Sequence, residues 1–142
     1  NNFIGNIYDF VHAYGISYTD ISTGEFKTFL IEHDIPKLIN EVINLNLNEI
    51  ILTDRCDKNI INILKNQYHM SITVYDEVYE GDTYQYLYED LNDVRYQTTI
   101  KHLLSYLLET QKRSLNHLQK VKIKDSNFFI NRAKTPKFSI SL

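Results

Sequence analysis

Apolar positions along the chain follow two different periods. Residues 3–8, 15–21 and 25–31 are rich in β-branched and aromatic side chains and are separated by turn-forming stretches around residues 9–14 and 22–24, which predicts an antiparallel meander of three strands. The period then changes. Ile35, Leu38, Ile39, Val42 and Ile43 fall on one helical stripe, with Asp34 placed to cap it and Pro36 in the first turn, where a missing N–H costs little. Residues 49–52 form a short apolar run of the kind a buried strand gives. Asp57 then caps a second helix whose apolar side is Ile60, Ile61, Ile63 and Leu64, and residues 71–75 read as another strand.

A meander followed by helix, strand, helix and strand predicts an α/β domain, a mixed sheet with helices packed on it, because parallel neighbours require helical crossovers. The last helix is read from Ile100, Leu103, Leu104, Leu107, Leu108, Leu115 and Leu118, a stripe that persists through about five turns. On that reading Lys112 and Arg113 occupy its later half, where cations suit the helix dipole. Residues 121–130 alternate as an extended segment would, and residues 132–142 form an exit strand or a loose tail.

Composition narrows the class. At 142 residues and 43% hydrophobic, the chain suits one compact domain. It starts at Asn1 without an initiating Met and has no apolar run long enough for a signal peptide or membrane span, so it reads as a piece of a longer soluble protein. A single cysteine, Cys56, excludes an internal disulfide and a Cys-based zinc site, and points to a reducing cytosol. Net charge is −3 but uneven: residues 1–100 hold 6 Lys+Arg against 16 Asp+Glu, and residues 101–142 hold 9 against 2. Such a basic end either faces nucleic acid or answers an acidic part of its own molecule or of a neighbouring domain, and the second reading is favoured.

Residues 76–93 contain seven acids and no base, and five tyrosines lie between Tyr79 and Tyr96. They read either as a solvated loop with one short helix or as a tyrosine-rich surface for another protein, carried by Tyr84, Tyr86 and Tyr88 together with Lys112.

Candidate chemistry gathers around residues 18–27, where Asp20, Ser22, Thr23 and Glu25 surround Gly24. A two-metal nuclease needs carboxylates from several elements converging on ions about 4 Å apart. Asp20 and Glu25 flank the turn and Asp54 ends a neighbouring strand, but the facing helix offers only leucine. No aspartate directly precedes Thr23-Gly24, as an aspartic protease requires, and no G-x-S-x-G frames Ser22. The turn reading needs less: Gly24 supplies a positive φ, Ser22 and Thr23 cap loop amides, and Asp20 and Glu25 sit in water at the hairpin end. His12, His33 and His69 fall in turns or at element ends, while His102 and His117 stand too far apart on one helix to chelate together. Neither GxxxxGK[ST] nor GxGxxG occurs.

Three segments together resemble a known family. Tyr18-Thr19-Asp20-Ile21-Ser22-Thr23-Gly24-Glu25-Phe26, Leu45-Asn46-Leu47-Asn48-Glu49-Ile50-Ile51-Leu52 and Tyr106-Leu107-Leu108-Glu109-Thr110-Gln111-Lys112-Arg113-Ser114-Leu115-Asn116-His117-Leu118-Gln119 are similar, in order, to the connector domain of the MutS family of DNA mismatch-recognition ATPases. The resemblance covers residues 2–130, and its last segment is the most specific. Leu47 stands where the family usually has proline. After Ile130 an acidic residue and an arginine pair of the family are missing, although Lys137 and Leu142 keep the general cast.

The resemblance implies an RNase H-like mixed sheet without nuclease activity, spanning residues 1–130, with residues 131–142 leading toward a lever or forming a tail. It makes Ser22, Thr23, Gly24, Glu25, Gln111, Arg113, Ser114 and His117 signature positions of structural kind. The implied role is a non-catalytic connector between a mismatch-binding domain and a lever and ATPase core, offering a docking surface to MutL. Whole proteins of the family bind mismatched DNA, and ATP with Mg²⁺, as dimers in the bacterial cytoplasm and at the nucleoid. None of those sites is implied for these residues, so no catalytic, cofactor or metal residue is expected here. The alternatives are an RNase H-like metal-dependent nuclease and a nucleic-acid-binding module acting through residues 112–137.

Overall fold

The computed structural model describes residues 2–125. Strands β1 (Phe3–Asp9), β2 (Ala13–Asp20) and β3 (Phe26–Glu32) form the antiparallel meander, β2 starting at Ala13 where the residue pattern had placed it at Gly15. Helix α1 (Ile35–Asn44) is capped by the Asp34 side chain, which accepts the Lys37 N–H, and carries Pro36 in its first turn. It returns the chain to β4 (Glu49–Leu52), parallel to β1. Asp57 caps α2 (Lys58–Asn62), which continues as a π-helical turn over Ile63–Gln67 and leads to β5 (Ser71–Val74), parallel to β4. The acidic segment holds one 3₁₀ turn, Gln85–Leu87. Helix α3 (Val94–Thr110) and the short β6 (Lys122–Ile123), parallel to β3, complete a six-stranded mixed sheet of order β5-β4-β1-β2-β3-β6.

Alternation along the strands builds a core on each face of this sheet. Helices α1 and α2 lay Leu38, Val42, Ile60 and Leu64 over Tyr14, Ile16, Ile50 and Leu52. On the other face α3 lays Ile100, Leu103, Leu104 and Leu107 over Ile4, Ile21, Phe26 and Ile51. Where α3 crosses β2, the strand presents Gly15, Ser17 and Thr19, and the approach is close: a Cβ on Gly15 would stand 2.1 Å from Thr99 Oγ1.

Helix α3 is shorter than its leucine spacing predicts. It ends at Thr110, because Gln111 turns extended (φ −87°, ψ 132°) while its N–H still donates to the Leu107 carbonyl. Residues 109–114 contain no apolar side chain to continue the stripe, and Leu108 is 37% exposed. Leu115 and Leu118 do reach the core, but from a loop. Lys112 and Arg113 therefore lie beyond the helix, and no dipole argument applies to them. Of the extended segment expected over 121–130, only Lys122–Ile123 pairs as strand among the described residues. Residues 126–142, including the expected domain boundary at 130, Arg132, Lys137 and Leu142, lie outside them. No helix of the described residues is long and apolar enough to cross a membrane.

Candidate functional site

The two most distinctive segments of the sequence fold onto one another. Between β2 and β3, Gly24 adopts φ 85° and its N–H donates to the Asp20 carbonyl at 2.7 Å. Thr23 Oγ1 accepts the Glu25 N–H at 3.2 Å, and Asp20 Oδ1 accepts the Ser22 N–H at 2.9 Å. The turn is the one the residues predicted, with one correction. Asp20 is 8% exposed and not in water, because its carboxylate is occupied by the turn's own amide. Glu25 stays outside and pairs with Lys27 at 3.6 Å.

The loop after α3 lies across this turn. Arg113 Nη2 and His117 Nε2 both donate to the Ile21 carbonyl, at 2.7 and 2.6 Å. That oxygen can accept from both because a carbonyl has a lone pair for each donor, and the contact places a proton on His117 Nε2. The Gln119 backbone N–H donates to the Gly24 carbonyl at 2.8 Å, and Gln119 Nε2 reaches the Thr23 carbonyl at 3.3 Å. Ser114 Oγ accepts the Asn116 N–H at 3.1 Å, tightening the loop over buried Leu115 and Leu118. Gly24 is needed twice: a Cβ there would have the wrong φ and would stand 2.1 Å from the His117 carbonyl oxygen. Of the signature positions, the Thr23, Arg113, Ser114 and His117 side chains thus satisfy backbone groups of the turn and the loop.

The carboxylates that the alternative nuclease reading would need together do not converge. In the sheet register Asp20 sits opposite Phe3 at one end, whereas Asp54 follows β4 at the other, past the Leu52 that pairs with Ile7. Asp54 instead pairs with Lys58 at 3.2 Å. Among the described residues no three His, Cys, Asp or Glu side chains are grouped to hold a metal ion. His102 and His117 do not share a helix as predicted, since His117 belongs to the loop.

The tyrosine-rich segment divides. Tyr88 is buried against α3, with Lys101 Nζ 5.5 Å from its ring centroid, so it belongs to the core and offers no outer surface. Tyr86 is exposed, and Tyr84 stands edge-on to Tyr79, whose hydroxyl accepts the Tyr84 N–H at 3.2 Å. Backbone bonds from Tyr79 to Lys101 and from Val121 to Leu87 hold the segment in place. Asp90 takes Lys120 at 2.8 Å, so the chain's basic end answers part of its own acidic segment. Lys112 is exposed in the loop across the turn.

A buried polar group on β1 escaped sequence reading. Asn6 Nδ2 donates to the Thr99 carbonyl at 2.8 Å and to His102 Nδ1 at 2.9 Å, while its Oδ1 accepts the Ser17 N–H at 2.9 Å. His102 must then carry its proton on Nε2, which donates to the Tyr75 carbonyl at 2.7 Å. Burial holds the His102 pKa below the ordinary histidine range, against opposing contributions from Tyr75 and Asp76. Nearby, the Tyr106 hydroxyl donates to the Glu49 carboxylate, which Thr73 Oγ1 also reaches at 3.1 Å. The signal was legible: an asparagine at an inward position of an apolar strand needs partners.

These contacts make two predictions. Because the folded His102 pKa lies below its unfolded value of about 6.5, the unfolded chain binds more protons in that window, so stability is full above it and declines as pH falls toward the folded pKa. Urea midpoints measured from pH 7.5 to 5 should fall, and the slope should be shallower in His102→Gln. Gly24→Ala should cost more than about 2 kcal/mol, since the steric contact with the His117 carbonyl adds to the left-handed strain; urea unfolding measures it.

Comparison with known proteins follows the same two segments. The family described as MutS domain II matches residues 2–119, which takes in both the turn and the loop that crosses it. The chain is 35% identical over 124 residues to the DNA mismatch repair protein MutS of Oceanobacillus iheyensis, covering 87% of this chain and 14% of that protein. It is 34% identical over 130 residues to MutS of Listeria welshimeri (90% and 15%) and 32% identical over 121 residues to MutS of Bacillus licheniformis (85% and 14%). The chain thus spans only 14–15% of the length of these relatives. With the match running from the start of β1 through the last residue of the bracing loop, the chain belongs to the MutS domain II family.

Proposed function

We propose that this chain is the connector module of a DNA mismatch repair protein, a non-catalytic body that links a mismatch-binding part to a lever and ATPase core and offers a docking surface to MutL. The observation that carries this reading is the use made of two signature side chains: Arg113 and His117, with Gln119 beyond them, are engaged with the backbone of the turn, where they stiffen the domain. Such a body moves as a unit when nucleotide or DNA states change elsewhere, and exposes or hides a partner surface as it does. ATP, Mg²⁺, mismatched DNA and dimer contacts fall to the rest of the protein, which would work in the cytoplasm at the nucleoid.

We assign the MutL-facing surface to the ordered acidic segment. Tyr86 is exposed there, with Tyr84 beside it and Glu77, Glu80 and Asp82 nearby in sequence. An aromatic anchor among carboxylates on a fixed backbone suits a partner with a basic face. Nucleic-acid binding through residues 112–137 has less support, because Lys120 is paired with Asp90 and Arg113 is engaged with Ile21.

The test is an NMR titration of the isotope-labelled chain with MutL of the same organism, and separately with Mg²⁺. Shifts centred on Tyr84 and Tyr86 with MutL, and none with metal, are expected. Silence with MutL, together with metal-induced shifts at Asp20 and Glu25, would replace the connector reading with the nuclease one.

A further inference from the structure

One edge of the sheet carries none of the usual protection. Strand β5 is an outermost strand, and among the described residues nothing pairs with its outer side. Edge strands are ordinarily blunted by charge, proline or shortness, because their unpaired N–H and C=O groups template another strand. Strand β6, at the other edge, is two residues long and one of them is Lys122. Strand β5 reads Ser71-Ile72-Thr73-Val74, with no charge and no proline.

The groups it presents can be assigned residue by residue. The Tyr75 N–H donates to the Leu52 carbonyl at 2.9 Å, and bonding to a neighbour alternates along a strand, so Ser71 and Thr73 also face β4. Ile72 and Val74 therefore turn both of their backbone groups outward. Their side chains stand on the α1/α2 face, since they pair with Ile50 and Leu52 of that core; Ile72 packs against it and Val74 is 48% exposed. Thr73 stands on the α3 face, where its hydroxyl reaches Glu49.

These groups match a copy of themselves in one register. Centred on Thr73, a second β5 laid antiparallel sets Ile72 opposite Val74 and Thr73 opposite Thr73, with four backbone hydrogen bonds. Centred on Ile72, the pairing would need the Met70 N–H, which already donates to the Leu64 carbonyl at 2.9 Å. Centred on Val74, it would set Ile72 against Asp76, whose carboxylate accepts the Asp54 N–H at 2.9 Å. The Thr73 register puts apolar beside apolar on one face and threonine beside threonine on the other, and opposes no like charges. Self-complementarity of this kind is what a two-fold interface requires.

We propose that β5 is a self-association site, at which a second copy of this chain adds its own β5 about a two-fold axis at Thr73 and joins the two sheets into one. The strand supplies its own complement, and that fixes the occupant as a second copy. The contact is additional to the dimer contacts left above to the rest of the protein, and it stands independently of the connector reading.

Sedimentation equilibrium of the chain from micromolar to millimolar concentration should show a reversible monomer–dimer equilibrium. Val74→Pro deletes one outward donor in each copy and spares the bonds to β4, so the urea midpoint of the dilute chain should change little while the dimer weakens by about tenfold or more. Val74→Lys, which leaves the backbone donor in place, should weaken it likewise by setting a charge against Ile72 of the other copy. Thr73→Cys reads the register: at the two-fold axis the Cα atoms stand about 4.5 Å apart, within disulfide range, so mild oxidation should link two copies. Ser71→Cys is exposed but falls opposite Tyr75, and should stay unlinked; the native Cys56 is buried. A chain that is monomeric at millimolar concentration, a dimer that both Val74 variants leave intact, or Ser71→Cys linking as readily as Thr73→Cys would each overturn the proposal. A monomeric chain whose Ile72 and Val74 amides shift when MutL is added would assign the edge to that partner and equally overturn it.

Discussion

The side-chain amide of Asn6 sits where β1, β2 and α3 meet, and the rest of the domain is arranged around satisfying it. Burying an amide without partners is costly, and here each of its hydrogen-bonding atoms is used, on Thr99, His102 and Ser17. That requirement sets how close α3 stands to the sheet. It is met only because β2 offers Gly15 at the crossing, where any Cβ would run into Thr99. It also fixes the His102 tautomer and keeps the ring neutral, since a second ring proton would face the Asn6 donor. With α3 held at that height, its C-terminal end is placed so that the loop beyond Thr110 reaches the β2–β3 turn.

The contact between that loop and the turn gives a physical meaning to two motifs roughly ninety residues apart in sequence, a separation read from Ile21 to Arg113 and His117. In this contact the polar side chains meet backbone carbonyls, and the leucines between them are buried. A contact built this way ties the loop to the turn through backbone groups of both and resists deformation.

Local chemistry was read well from sequence, and long-range packing was not. Asp34 and Asp57 as caps, Pro36 in the first turn and Gly24 with a positive φ each follow from a few neighbouring residues, and each stands in the structure as predicted. The end of α3 was missed because Leu115 and Leu118 fit the helical stripe numerically while reaching the core from a loop. Tyr88 looked like surface because its neighbours are acidic, yet it packs under Lys101. Asp20 looked solvated because it flanks a hairpin turn, and Asp54 was a candidate neighbour because strand order and direction were unknown. Asn6 could have been found from its alternation alone, but its partners on α3, Thr99 and His102, more than ninety residues away, could not.

The central claim is that sheet, long helix, turn and bracing loop form one mechanical unit, and native-state hydrogen exchange at sub-denaturing urea tests it most directly. The amides of Ser17 and Leu103 report on the sheet and α3, and those of Gly24 and Gln119 report on the brace. The account predicts that all of them merge into one opening with the same urea dependence. If Gly24 and Gln119 exchange through a separate opening of much lower free energy while Ser17 and Leu103 stay protected, the brace is an appended loop and the rigid-body account is wrong.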